Sequence, residues 1–395
     1  MHALLAGGGI GGMTAALSLL RAGIDVDVYE AAPALTEVGA GVQLSPNGCR
    51  VLAELGVFDE LIAMSCDPDR KEFRLWNTGK AWTLFALGSF VVEEYGYPYL
   101  TVYRPDLLGV LERSVRRMKP DAVHLDARCA GFTQDDNGVT LELTGGESVR
   151  GDVLIGADGW RSAIRTALWG DCTPQFSGMV AWRSIIPMEN LPTHLTEKVG
   201  STWIGPGAHV VTYPLHGGAI MNFVATVEAK EWSESGGSVP GDRDECRADF
   251  AGWHEDIQTY IDAAPSLIKW ALVSREPIPQ WTQGRVSLLG DACHTTLPFL
   301  AQGAVHAMED GIVLARCLVH DTDDPAKALQ RYENARIERT SKMVRGATAN
   351  TGRFHSPELA TPQKADDYLA REWSAEPIAD RYHWLYSYDA VTAPI

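Results

Sequence analysis

The sequence predicts an α/β fold: a parallel-sheet domain opened by a βαβ unit, a second domain inserted into it on a mixed β-sheet, and C-terminal helices. Three observations predict it. A glycine-rich turn joins an apolar strand to an Ala/Leu-rich helix within the first thirty residues. Two later apolar runs, 152–159 and 286–291, each end in an acidic turn. Between them lies a Trp-rich section with the two-residue alternation of strands.

Composition narrows the class. Of 395 residues, 34 are Lys or Arg against 51 Asp or Glu, a formal net charge of −17, and 45% are hydrophobic. The apolar share supplies a sizeable core and excludes a largely disordered chain. The acidic balance argues against nucleic-acid or anionic-membrane partners, while leaving room for a local basic pocket. No apolar run approaches the ~20 residues of a membrane span. The first run is broken by Gly7, Gly8, Gly9, Gly11 and Gly12, unlike a secretion signal. Cys49, Cys66, Cys129, Cys172, Cys246, Cys293 and Cys317 are odd in number and form no CxxC pair. No disulfide framework or metal site is expected, and a cytoplasmic location is.

The elements follow in order. His2 to Ala6 suits a buried parallel strand, and Gly7-Gly8-Gly9-Ile10-Gly11-Gly12 fits G-x-G-x-x-G. Met13 to Ala22 reads as a helix stopped by Gly23; Asp25 to Tyr29 alternates as a second strand with Glu30 at its end. Together these make a Rossmann-like dinucleotide-binding unit. Gly7 permits the tight turn, Gly9 admits a pyrophosphate, and Gly12 lets helix and strand pack closely. The helix N-terminus offers free N–H groups to phosphate, and Glu30 suits an adenosine ribose. The motif alone does not separate FAD from NAD.

Asp152-Val153-Leu154-Ile155-Gly156-Ala157-Asp158-Gly159, with Ser162 and Arg165 beyond, is a buried strand running into a polar turn. Val286-Ser287-Leu288-Leu289-Gly290-Asp291 is another, followed by Pro298 and a helical run from Ala304 to Cys317. In the middle section, Ala208 to Tyr213 and Ala219 to Val224 read as strands, with Pro214-Leu215-His216-Gly217-Gly218 as a hairpin connection. Phe73, Leu75, Trp76 and Trp82 suggest further strands of that sheet. His209 and Tyr213 are four apart, which puts them on one face of their strand.

At the D-G segment around Asp158 and the G-D segment around Asp291, the sequence resembles the FAD-dependent aromatic hydroxylases, the single-component flavoprotein monooxygenases. Glu37 to Asn47, the Arg104 segment and Tyr332 to Arg336 extend the resemblance over nearly the whole chain. Within the family it looks most like the salicylate, 3-hydroxybenzoate and 6-hydroxynicotinate hydroxylases. The resemblance implies a discontinuous FAD-binding domain at 1–70, 104–177 and 276–395, with C-terminal helices, and a substrate-binding sheet at 71–103 and 178–275.

It also implies roles. Gly7, Gly9, Gly11 and Gly12 receive the FAD pyrophosphate; Glu30 and the Ala31 backbone hold the adenosine ribose; Cys129 lies near the adenine. Arg104 neutralises cofactor charge, Asp158 serves FAD and the reductant, and Asp291 binds the ribityl or pyrophosphate region. Gly303 and Ala304 offer N–H groups to the flavin's pyrimidine oxygen. Gln43 makes a polar contact near the flavin, at a position where the 6-hydroxynicotinate relatives carry His. Phe299 likewise replaces a His, so the substrate stays open.

His209 and Tyr213 line the substrate pocket by the same resemblance, with Pro298 forming a wall. Gln302 is a catalytic candidate with a helix-start role as the alternative. Arg183 is a candidate for a substrate carboxylate, weighed against an ordinary surface or cofactor-side arginine and left out of the site. The implied activity is hydroxylation of a phenolic or hydroxy-N-heteroaromatic carboxylate, using FAD, NADH or NADPH and O2 through a flavin hydroperoxide, in a homodimer. The alternatives are a same-fold monooxygenase acting on a non-carboxylate aromatic or polyketide, and a flavin oxidase or dehydrogenase without ring hydroxylation.

Overall fold

The computed structural model describes residues 1–35, 41–170, 174–234 and 237–395. Glu37, Val38, Gly39 and Ala40 of the segment quoted above, and Cys172, lie outside the described residues.

A five-stranded parallel sheet organises the first core. Its order is Val286–Leu288, Val153–Gly156, His2–Ala6, Asp25–Tyr29 and Val123–His124. The central strand is buried along Ala3 to Ala6, as a parallel strand covered on both faces must be. The helices Ile10–Arg21 and Gly303–His320 pack closely against each other. Small residues permit this: a Cβ on Gly311 would lie 2.8 Å from the Ala15 nitrogen. A three-stranded antiparallel sheet, Cys129–Asp135, Gly138–Leu143 and Ser148–Gly151, flanks the parallel one.

The alternating middle section forms an eight-stranded mixed sheet. Its order is Ser238–Gly241, Leu267–Ser274, Gln175–Pro187, Ile220–Glu228, Ala208–Leu215, Val199–Gly205, Arg70–Leu75 and Ala81–Ala86. All neighbours are antiparallel except the pair Val199–Gly205 and Arg70–Leu75. The hairpin over residues 208–228 turns through the short 3-10 helix His216–Gly218. One face packs Trp182, Trp203 and Phe223 against the helices Arg243–Asp249 and Glu255–Ala263. The other carries Phe73, Ile204 and Leu272 and looks toward the C-terminal helices.

The 30-residue helix Pro325–Phe354 joins the cores. Asp324 caps it by accepting from the Lys327 N–H at 3.0 Å, and Pro325 occupies its first turn. Leu329 and Tyr332 enter the parallel-sheet core; Met343, Val344, Ala347 and Phe354 enter that of the mixed sheet. Among the described residues, no helix is long and apolar enough to cross a membrane.

Candidate active site

The glycine turn is locked by sterics and by one carboxylate. Gly7 sits at φ +111°, and a Cβ there would meet the Ala157 oxygen at 2.4 Å. A Cβ on Gly12 would meet the Gly7 oxygen at 2.0 Å. Gly11 faces Leu289 and Ala307, and Gly9 is the N-cap of the helix Ile10–Arg21. Glu30 holds the turn from the neighbouring strand, accepting from the Gly8 N–H at 2.7 Å and the Ala32 N–H at 2.9 Å. Ala31 is half-buried beside it. Each Glu30 oxygen keeps an acceptor site after these bonds.

One thiol and one further carboxylate lie beside this turn. Cys129 begins its strand half-buried; burial and the charges of Asp158 and Glu30 push its thiol up to about 12, so it is neutral. Asp158 accepts from the Ala163 and Ile164 N–H groups at 2.7 and 3.2 Å through one oxygen. Its other oxygen is buried without a hydrogen-bond partner among the described residues, and burial raises its pKa. Arg165 donates to the Trp160 and Ala292 carbonyls, tying the turn that follows Asp158 to the one that follows Asp291. Arg104 starts the helix Arg104–Met118 and feels the favourable charge of Asp291 and the opposing charge of Arg183.

Asp291 is exposed, but the turn carrying it is anchored from beneath. Gly290 takes φ +64° and donates its N–H to Asp310 at 3.1 Å; His294 Nε2 bonds the same oxygen at 2.6 Å. Arg336, fully buried, spans Asp310 at 2.7 Å and Glu309 at 2.8 Å. Arg339 and the Asn47 amide also donate to Glu309. Gln302 belongs to this interior array: its amide donates to Ser45 Oγ at 2.8 Å and accepts from Asn47 at 3.3 Å. The structure therefore places the Gln302 side chain in a buried network at the helix start, with both ends of its amide engaged. Gly303 opens the helix Gly303–His320, with Ala304 next; both are half-buried, and Pro298 is exposed in the segment just before them.

The mixed sheet contributes a polar face. Residues opposite each other in an antiparallel pair share a face. His209 lies opposite Thr226, Val211 opposite Val224, and Tyr213 opposite Asn222. On the next strand Val224 lies opposite Arg183, and Thr226 opposite Ala181, whose other neighbour is Trp270. His209 and Tyr213 are thus both buried on one face, with about 13 Å between their backbones. Four atoms of this face are buried without a partner among the described residues: Thr226 Oγ1, Asn222 Nδ2, Arg183 Nε and Trp270 Nε1. Arg183 stacks on Trp270 at 4.9 Å.

Three links bring this face to the nucleotide cradle. Phe299, next to Pro298, packs edge-on against His209 at 4.8 Å. Gly41 donates to Asn222 at 3.0 Å, and a Cβ on it would meet the Tyr213 ring at 2.4 Å. Arg183 acts electrostatically on both Arg104 and Tyr213. Gln43 accepts from the Tyr99 hydroxyl at 2.5 Å and also bonds Tyr213. Burial pushes Tyr213 up to about 12, although Arg183 and Gln43 pull against it, so its hydroxyl keeps its proton. Burial and His355 hold His209 well below its usual pKa, so it is a neutral base.

The sequence reading left out Arg183 and did not find Asn222, Thr226 or Tyr99. The strand Ile220–Glu228 carried a usable sign: Asn222 and Thr226 fall on one face of a run that is otherwise apolar as far as Val227. The cradle suits a dinucleotide on grounds internal to the structure. Backbone atoms bar a side chain at Gly7 and Gly12, its first helix is capped by backbone alone, and Asp158 keeps an unused buried acceptor.

Residues 1–347 match the family described as FAD binding domain. A 3-amino-4-hydroxybenzoate 2-monooxygenase of Streptomyces platensis is 37% identical over 389 residues, covering 98% of this chain and 96% of its own. A 6-hydroxynicotinate 3-monooxygenase of Bordetella bronchiseptica is 34% identical over 380 residues, 95% and 96% of the two chains. Among solved structures, Klebsiella pneumoniae HpxO complexed with FAD and uric acid superposes with a TM-score of 0.81 at 31% identity, covering 96% of this chain and 95% of that one. A salicylate hydroxylase substrate complex gives 0.81 at 25% identity, covering 99% and 96%. With its glycine cradle, acidic turns and mixed sheet in this arrangement, the chain belongs to the FAD-dependent aromatic monooxygenases.

Proposed function

We propose that this protein hydroxylates a small phenolic or hydroxy-N-heteroaromatic carboxylate, with NADH or NADPH as reductant and O2 as oxidant. The observation that carries the reading is the set of unpartnered buried polar atoms on the His209–Tyr213 face. Arg183, the Asn222 amide and the Tyr213 hydroxyl are hydrogen-bond donors near one another, which suits a carboxylate. His209, a neutral imidazole at the other end of the face, suits a ring hydroxyl that must lose its proton. The relatives named for aminohydroxybenzoate and hydroxynicotinate carry both groups on one ring, in agreement with this division.

Bound FAD supplies hydride acceptance from the reductant and the transfer of one oxygen atom. The residues of this chain do the rest. Glu30, Asp158 and Asp291 would hold the cofactor as hydrogen-bond acceptors, Arg104 would offset its negative charge, and the N–H groups at Gly303 and Ala304 would favour negative charge beside it. The donors around Tyr213 fix the ring by its carboxylate. His209 accepts the ring-hydroxyl proton, and an ionised hydroxyl makes the ring electron-rich. The apolar walls at Phe299 and Leu300 exclude water.

A screen of hydroxylated benzoates and pyridine carboxylates tests this. FAD-loaded protein is expected to oxidise NAD(P)H faster with a matching acid and to place one atom of labelled O2 in the product. Stimulated NAD(P)H oxidation without labelled product from any compound would refute the reading. Tyr213→Phe is expected to slow hydroxylation at least tenfold while leaving FAD content unchanged.

A further inference from the structure

His209 is the first of three residues in hydrogen-bonding series. Its Nδ1 lies 2.7 Å from Nε2 of His355, which follows the long helix Pro325–Phe354. Nδ1 of His355 lies 2.9 Å from Oε1 of Glu228, the last residue of the strand Ile220–Glu228. Both rings are buried, whereas the Glu228 side chain is 58% exposed. The series runs from the interior of the polar sheet face to bulk water.

The chemistry of the end group orders the protons. A carboxylate only accepts, so His355 Nδ1 carries hydrogen. Burial disfavours the charged form of both rings, so each neutral ring has one N–H. His355 Nε2 is then an acceptor and His209 Nδ1 the donor to it. That leaves His209 Nε2 with a free lone pair. Among the described residues the His209 ring makes no other recorded hydrogen bond. Phe299 at 4.8 Å and Phe354 at 5.2 Å hold the ring in this orientation.

We propose that His209, His355 and Glu228 form a proton-exit relay, carrying the ring-hydroxyl proton of bound substrate from the enclosed site to solvent. The relay rests on the reading above that the site takes an ionisable ring hydroxyl. The substrate O–H bond breaks as a bond forms to His209 Nε2. The His209 Nδ1–H bond breaks as one forms to His355 Nε2. The His355 Nδ1 proton passes to Glu228, which yields it to water. Neither ring need store a positive charge, which its burial would penalise. The reverse sequence delivers a proton to the product oxygen and restores both tautomers. His355 and Glu228 touch neither substrate nor cofactor; they act through His209.

Two substitutions, His355→Phe and Glu228→Gln, test the relay in the FAD-loaded protein. The wiring is read without substrate, by NMR of protein labelled with 15N in histidine. Beside the resonance of His294 on Asp310, wild type is expected to show two further hydrogen-bonded imidazole N–H protons shifted downfield, both lost in His355→Phe while that of His294 stays; absence of those two from wild type would overturn the proposal. Its use is read by stopped-flow absorbance with 3-amino-4-hydroxybenzoate and 6-hydroxynicotinate as probes. In His355→Phe, ionisation of the bound probe is expected to slow at least tenfold, with FAD content and probe affinity within twofold of wild type. Glu228→Gln is expected to slow similarly and to recover as formate or imidazole buffer is raised, a response that a merely structural role does not give. Wild-type ionisation rates in His355→Phe, or no buffer response in Glu228→Gln, would overturn the relay. Wild-type protein inert to every ring-hydroxylated acid would instead sink the functional reading, a failure that the histidine resonances tell apart from the relay's.

Discussion

Replacing Arg336 by methionine keeps an unbranched, flexible stem and deletes the guanidinium with its charge. Arg336 is fully buried between Glu309 and Asp310. Glu309 retains Arg339 at 2.9 Å after the change, whereas Asp310 loses its one arginine among the described residues and is left with His294 and the Gly290 N–H on its other oxygen. Removing one partner of a buried ion pair costs about 3–5 kcal/mol, because the charge left behind loses its main compensation. With an unfolding entropy of about 2.1 cal/mol/K per residue, a chain of 395 residues has roughly 0.8 kcal/mol/K, so Tm falls by about 4–6 °C. Burial pushes the Asp310 pKa up, but His294 and Arg336 outweigh it and hold it at about 2. A depressed carboxyl contributes its stability above the unfolded value of about 4 and loses it as pH falls through the folded value. The deficit of Arg336→Met is therefore full at pH 7 and smaller at pH 3. Scanning calorimetry at both pH values measures it. Because Asp310 also anchors the Gly290–Asp291 turn, the variant is expected to release FAD more readily in a fluorescence titration. A Tm within 1 °C of wild type at pH 7, with FAD retained, would refute the argument.

Gly7→Ala forces a Cβ against the Ala157 oxygen at a positive φ and is expected to weaken FAD binding at least tenfold, measured by flavin fluorescence. Gly41→Ala displaces the Tyr213 ring by about 1 Å, since a Cβ would start 2.4 Å from it; kcat for hydroxylation is expected to fall by about tenfold to a hundredfold with FAD retained, measured as product per NAD(P)H. Burial lowers the Lys71 pKa to about 7, so between there and its unfolded value of about 10.4 the unfolded chain binds more protons and stability rises with pH. Lys71→Met is expected to gain more over wild type at pH 6 than at pH 9, read from urea midpoints.

The βαβ start was legible because local chemistry dictates it. Gly7 must take a positive φ, Gly12 must touch Gly7, and Glu30 must end the second strand, all within thirty residues. The pairing of His209 with Tyr213 on one face followed from strand period alone. What sequence withheld is what depends on partners distant in the chain. Gln302 sits one residue before a helix start where a ligand contact is natural, yet Ser45 and Asn47, more than 250 positions away, take up its amide. Arg183 reads as an ordinary surface residue until the strands carrying Trp270 and Tyr213 are assembled around it. His355 follows a long polar helix with no motif, and only tertiary contact gives it His209 and Glu228.

The order of strands in the parallel sheet bears on how the protein is made. The glycine cradle emerges from the ribosome first, but the strand Val286–Leu288 that completes its sheet comes far later. The arginine that braces the last acidic turn, Arg336, comes later still. At about 5–20 residues per second, roughly 15–60 s of synthesis separate Glu30 from Arg336. During that interval the nascent cradle lacks the Asp291 turn and its brace, so the prosthetic group meets a complete site only after the segment through Arg336 has been made and folded back onto the first strands.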